Sequence, residues 1–130
     1  MKEITIIANN EVGSLAIVAE ALGSVGVNIE AIAAYGTGSG AVFRVLTNDV
    51  STANKALSKL PQFRVSDSDT LIYQMINRPG ELGKVTRKLA NKGISLESVY
   101  IVNKKQDYTE VAICPSSKDI GKTREVLGIK

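Results

Sequence analysis

The chain has 130 residues, 44% of them hydrophobic and 22% charged, with a formal net charge of +3. That composition is ordinary for a globular protein and long enough for one domain or two very small ones. The single cysteine, Cys114, excludes an intramolecular disulfide; there is no histidine to act as general base or metal ligand, and no apolar run could span a bilayer.

In chain order, residues 4–8 (Ile-Thr-Ile-Ile-Ala) are β-branched and bounded by Asn9-Asn10, which reads as a strand. Leu15, Val18, Ala19 and Leu22 then follow helical spacing, and Gly23 and Gly26 supply a stop. Residues 27–35 form a second strand. Within it Ile29, Ala31 and Ala33 share one face, and Asn28, Glu30, Ile32 and Ala34 the other. The glycine-rich turn 36–40 leads into a third strand over 41–46, with Phe43 and Val45 on one side and Arg44 on the other. Asp49 or Ser51 can cap a second helix with a stripe of Ala53, Ala56, Leu57 and Leu60, and Pro61 ends it. Residues 63–65 are a short fourth strand.

The order then repeats. Residues 70–76 are a strand, Leu82, Val85 and Leu89 mark a helix, and residues 94–102 and 109–113 make a hairpin across 103–107. Ile120, Thr123 and Leu127 indicate a last helix, which leaves no room for a full fourth strand in this second unit. The repetition is visible in the residues themselves. Asn10-Glu11-Val12-Gly13-Ser14-Leu15 returns as Asn77-Arg78-Pro79-Gly80-Glu81-Leu82, and the same 67-residue offset carries Gly26 onto Gly93, Val27 onto Ile94 and Glu30 onto Glu97.

Strand, helix, strand, strand, helix, strand builds an antiparallel sheet with both helices on one face. The expected fold is therefore α+β, with two ferredoxin-like βαββαβ units at residues 1–68 and 69–130. Neither face of the second strand is fully polar, so a partner or the sister repeat is expected to cover part of the sheet.

The repeated turn carries the chemistry. Glycine lets the chain bend sharply and lets a ligand approach the backbone. A helix amino terminus offers unpaired N–H groups and partial positive charge, which together suit a carboxylate. Two roles are open to Asn10 and Asn77: capping the helix and contacting a ligand. The stretches 10–15 and 77–82, followed by Gly26-Val27-Asn28-Ile29 and Gly93-Ile94-Ser95-Leu96, resemble the ACT-domain family over almost the whole chain.

The resemblance implies an α+β module that binds an amino acid, with ligand contacts shared between the first turn of one domain and the second strand of a neighbour. Carried over, it marks Asn10, Glu11, Val12, Gly13, Ser14 and Leu15 with Asn28 and Ile29 in the first repeat. In the second it marks Asn77, Pro79, Gly80, Leu82 and Ser95. Ser95 replaces the strand asparagine and Val12 the proline, so one complete and one degraded site are expected.

Three classes of function differ in what they require of the chain. An enzyme needs a catalytic constellation; no catalytic residues, metal ligands or cofactor site are indicated. Nucleic-acid binding by this strand order stacks bases on aromatics of the central strands, which offer Phe43 but otherwise mostly Ile, Val and Ala. The reading is a regulatory sensor that binds a small amino acid and has no activity of its own. The alternative is a small enzyme or an assembly module of amino-acid metabolism without ligand sensing. A cytoplasmic homodimer is expected, without nucleic-acid or membrane partners, acting through an amino-acid metabolic enzyme or a regulator.

Overall fold

The computed structural model describes residues 1–129. The chain divides into two compact units, Met1–Ser68 and Asp69–Lys130. In the first, strand β1 (Lys2–Asn9) leads to helix α1 (Ser14–Ser24), strands β2 (Ala31–Thr37) and β3 (Gly40–Thr47), helix α2 (Val50–Leu57) and strand β4 (Arg64–Asp69). The sheet order is β2-β3-β1-β4. β1 and β2 both run antiparallel to β3 and so run parallel to each other with β3 between them, the split arrangement of a ferredoxin-like unit.

The core of this unit lies on one sheet face. Ile4, Ile6, Ala41, Phe43 and Val45 meet Val18 and Leu22 of α1 and Ala53 and Leu57 of α2. Alternation along the strands places these side chains together, and the three- and four-residue spacings bring the helical ones to the same surface. Ala56 is only half-buried, and Leu60 lies beyond the helix while still packing against the core. The helix ends at Leu57, before Pro61 is reached, in a turn closed by Leu60 N–H on the Leu57 carbonyl at 3.0 Å. Asp49 is the cap, accepting from Thr52 N–H at 3.1 Å. That bond is the main reason its carboxyl titrates below the ordinary range.

The second unit repeats the order as β5 (Leu71–Ile76), α3 (Glu81–Asn91), β6 (Leu96–Lys104), β7 (Tyr108–Pro115), a single 3-10 turn at Ser117–Asp119 and α4 (Ile120–Leu127). Its sheet has three strands in the order β5-β7-β6, both pairings antiparallel. Val85, Leu89, Ile94, Val111, Ile113 and Leu127 form its core. The α+β architecture, with two antiparallel sheets and the second one strand short, is the one read from the sequence.

The second strand starts later than the sequence pattern indicates. Gly26 has φ 74° and Gly93 φ 72°, a left-handed conformation that costs glycine nothing. Val27 N–H reaches back to the Leu22 carbonyl at 3.0 Å and Gly26 N–H to Gly23 at 3.1 Å. Ile94 does the same to Leu89 at 3.1 Å, and Gly93 to Ala90 at 2.9 Å. These are paired bonds of a Schellman C-cap, with the buried Val27 and Ile94 as its apolar contact. The repeated Gly-Val and Gly-Ile pairs therefore close helices, and the strands begin after them, at Ala31 and Leu96.

Candidate functional site

In both repeats the bend between first strand and first helix is made by a glycine: Gly13 at φ 90° and Gly80 at φ 87°, each the N-cap residue of its helix. Neither helix start receives a side-chain cap. Asn10 and Asn77 do not cap. Asn10 Nδ2 donates to the Gly38 carbonyl at 3.1 Å and its N–H donates to Ser39 at 2.8 Å. Asn77 Nδ2 donates to Lys105 at 2.7 Å and its N–H to Asp107 at 3.1 Å. Each asparagine ties its bend to the hairpin turn of its own unit. At Gly36 an added Cβ would sit 3.1 Å from Asn10 Nδ2, so glycine there lets the amide lie flat on β2. The Oδ1 of Asn10 accepts no hydrogen bond among the described residues.

A cleft of about 410 Å³ opens at this bend in the first unit. Its lining includes Asn10, Glu11, Gly13, Ser14 and Leu15 from the bend, and Ala34, Tyr35, Gly36 and Phe43 from β2 and β3. Leu15 and Ala19 share the helical spacing of Val18 and Leu22, yet both are exposed, and Leu15 lines the cleft. The amides of Leu15 and Ala16 have no backbone partner among the described residues, while Ser14 N–H bonds Glu11 at 3.2 Å and Ile17 N–H bonds Gly13 at 3.0 Å. The first turn of α1 contains no acidic residue, so its partial positive charge is not neutralised locally. Asn10 and Glu11 belong to the same lining. The cleft thus gathers the open amides of Leu15 and Ala16, the polar side chains of Asn10 and Glu11 and the apolar side chains of Leu15, Ala34 and Phe43 in one lining.

Tyr35 is held in place. Its hydroxyl accepts from Arg44 Nε at 3.3 Å, and Arg44 Nη1 donates to Glu3 at 3.0 Å and to Thr5 at 3.4 Å. Glu3 is fully buried. Burial draws the guanidinium pKa down, but the bonds to Tyr35 and Glu3 outweigh it and hold it above its ordinary value. Arg44 anchors a buried carboxylate in addition to being a strand residue, a pairing that depends on β1–β3 register.

The second repeat differs in charge. Where the first has Ser14, the second has Glu81, which accepts from Arg78 Nε at 2.8 Å and from Lys84 at 3.3 Å. Arg78 is the main reason the Glu81 carboxyl is held below the usual range. An acid in the first turn already complements the helix terminus. Gly80, Pro79 and Leu82 are exposed beside it.

The strand residues marked by the resemblance lie elsewhere within each unit. Asn28 is exposed, Ile29 packs partly against the core, and both precede β2. β2 runs from there to the cleft, a span of about 20 Å for seven residues. Ser95 likewise sits just before β6, at the end opposite Asn77. Within one unit, then, the bend and the strand-start residue do not meet. Sequence reading missed Ala34, Tyr35, Gly36 and Phe43; the glycines at 36, 38 and 40 were the available signal, read there only as a hairpin turn.

Among the described residues no group of three or more His, Cys, Asp or Glu is arranged to hold a metal, and no helix is long and apolar enough to cross a membrane.

Strand order and glycine-led helices define an ACT-like α+β protein. The chain belongs to the same family as protein BT0572 from Bacteroides thetaiotaomicron, to which it is 30% identical, with a TM-score of 0.82 over 98% of this chain and 85% of that one. The same fold is found in the ligand-free regulatory subunit of aspartate kinase from Thermus thermophilus (15% identity, TM-score 0.71, 98% and 89% covered). It is found again in the regulatory subunit of aspartate kinase from Thermus flavus (15%, 0.66, 98% and 90%). No protein-family model and no curated protein sequence matches the chain.

Proposed function

We propose that the protein is a regulatory module whose two units, 1–68 and 69–130, are ACT-like domains, and that the first binds a small amino acid without transforming it. The observation that carries this reading is the cleft beside an uncapped, acid-free helix start, with Asn10 and Glu11 in the same lining. A carboxylate is stabilised by the Leu15 and Ala16 amides, an ammonium group by Asn10 Oδ1 and Glu11, and a short apolar side chain by Leu15, Ala34 and Phe43. The regulatory role is supported by the fold shared with aspartate kinase regulatory subunits. In this reading it acts on an enzyme or regulator of amino-acid metabolism, in the reducing cytoplasm that its lone thiol suits.

The assembly follows from the separation of Asn10 and Asn28. β2 is an edge strand with no charged residue. Pairing it antiparallel with its copy, centred on Ala33 or Ala34, brings Asn28 of the partner subunit alongside residues 38–40, next to the Asn10 bend. A homodimer of this kind gives each cleft the strand-start asparagine that its own unit cannot provide. In the second repeat Glu81 occupies the anion position and Ser95 lacks the amide, so Asn77, Pro79, Gly80 and Leu82 serve the fold more than a ligand.

Titration calorimetry and thermal shift against the twenty amino acids test the reading. Saturable binding of a small apolar or hydroxylated amino acid is expected, and Asn10→Ala weakens it about tenfold or more, the worth of one hydrogen bond to a charged group. The absence of heat and of any Tm shift across all twenty would overturn it.

A further inference from the structure

The helices of the two units carry different surfaces. The 67-residue offset that aligns the bends also carries Ile17 onto Lys84, Glu20 onto Arg87, Ala21 onto Lys88 and Val25 onto Lys92. Glu20 is the one charged residue of α1, whereas α3 has three cations and one acid, and Lys92 is its C-cap. Helix α4 and the 3-10 turn before it add Lys118, Lys122 and Arg124 against Asp119 and Glu125. This helix layer therefore holds an excess of positive charge larger than the +3 of the whole chain.

The cations are ordered along the surface. Lys84, Lys88 and Lys92 recur at every fourth residue, so they form one row with about 6 Å between successive positions. Lys122 of α4 meets the end of that row, where a hollow of about 360 Å³ is lined by Lys92, Lys122, Glu125 and Val126. All four lysines are exposed. Lys84 pairs with Glu81 at 3.3 Å. Lys88, Lys92 and Lys122 make no ion pair or hydrogen bond among the described residues. Local structure does not call for such a row, since like charges four residues apart on a helix repel. The C-terminal dipole of α3 favours Lys88 and Lys92, but Lys122 stands in the first turn of α4, where a cation is disfavoured.

We propose that the lysine row on α3 and α4 docks an acidic helix of a partner protein, one with carboxylates at every fourth position. The inference rests on the reading above that the protein acts on another protein. A helix with Asp or Glu at i, i+4 and i+8 repeats the spacing of about 6 Å, so successive carboxylates meet successive lysines. The hollow shared by Lys92 and Lys122 takes the last of them. Such complementarity fixes register and speeds encounter, and it relieves the repulsion within the row. A nucleic acid fits less well, because residues 81–92 and 117–127 contain no aromatic side chain on which a base can stack. The two units then divide the work, the first holding the ligand cleft and the second the docking surface.

The probe is a fluorescent alanine-based helical peptide of about 20 residues with Glu at every fourth position, titrated into the intact protein and followed by anisotropy. Saturable binding is expected, weakening as ionic strength rises to about 0.15 M. The double variant Lys88→Glu with Lys122→Glu turns attraction into repulsion at two exposed positions, and weakens binding roughly tenfold or more at an unchanged Tm. A peptide of the same composition with its Glu residues grouped at one end binds roughly tenfold less tightly. No saturable binding, or equal affinity for the grouped peptide or for the double variant, overturns the proposal. So does tighter binding of a single-stranded RNA oligomer that the double variant loses, which would give the row to a nucleic acid. Slow acetylation of Lys88 and Lys122 in the protein alone overturns it too, since the row would already be covered. Calorimetry with the amino acids reads the cleft separately: docking lost with those heats intact sinks this inference alone, and heats missing with docking intact sink the ligand reading alone.

Discussion

Asn10 shows how one residue type serves a different purpose from the one its neighbourhood suggests. An asparagine just before a helix reads as a cap, yet its amide is engaged by the hairpin turn at Gly38. The cap position is instead left to Gly13, which leaves the first amides of α1 open. At the other unit's counterpart the same tie exists, but Glu81 places a negative charge in the first turn of α3. Thr70 is a separate residue-scale feature. Its Oγ1 is buried without a hydrogen-bond partner, and a buried hydroxyl left unpaired costs about 1–3 kcal/mol. Thr70→Val keeps the shape and removes that group, so urea unfolding is expected to show a variant more stable by about 1 kcal/mol. A loss of stability would show that the hydroxyl is satisfied by water.

At the scale of elements, the repeated helix endings give the clearest rule. Gly26 and Gly93 hold the left-handed conformation that lets two amides return to the last carbonyls of α1 and α3. No atom lies within 4 Å of a Cβ built at Gly26, so Gly26→Ala introduces no clash. The expected loss of about 1 kcal/mol is the backbone cost of a Cβ at positive φ, measurable as a lower urea midpoint with an unchanged m-value. A loss well beyond that would point to packing instead. The same endings explain why the second strands are shorter than their apolar runs. Val27 and Ile94 look like strand residues because they are β-branched, but they are spent on closing helices. Periodicity over so short a run cannot separate the two roles.

At the scale of the whole molecule, the two units are unequal versions of one plan. The first has four strands and a core that takes in β4's entry residue Phe63. The second has three strands among the described residues, with Tyr73 and Met75 only partly buried. Small units sit near the limit of independent folding, so the difference has a measurable consequence. Expressed separately, residues 1–68 are expected to show cooperative thermal unfolding, and residues 69–130 a broad transition with exposed apolar surface detected by dye binding. Equal cooperativity in both fragments would refute the idea that the fourth strand completes the fold. The fold order, the repeat and the special status of the two bends were all legible in the chain, since each is written in local spacing or in glycines that tolerate unusual backbone angles. The cleft walls were not. Ala34, Tyr35 and Phe43 reach Leu15 only because β2 and β3 pair in a particular register beside α1.

By itself the sequence determined the α+β plan, its duplication and the places where the backbone must bend, because those follow from short-range periodicity and from the sterics of single residues. Tertiary structure alone decided that Asn10 anchors a hairpin, that Arg44 pairs with buried Glu3, and that Asn28 stands at the far end of the sheet from the cleft. Each of these joins residues distant in the chain, and strand register and sheet order, which no local pattern specifies, set which of them meet.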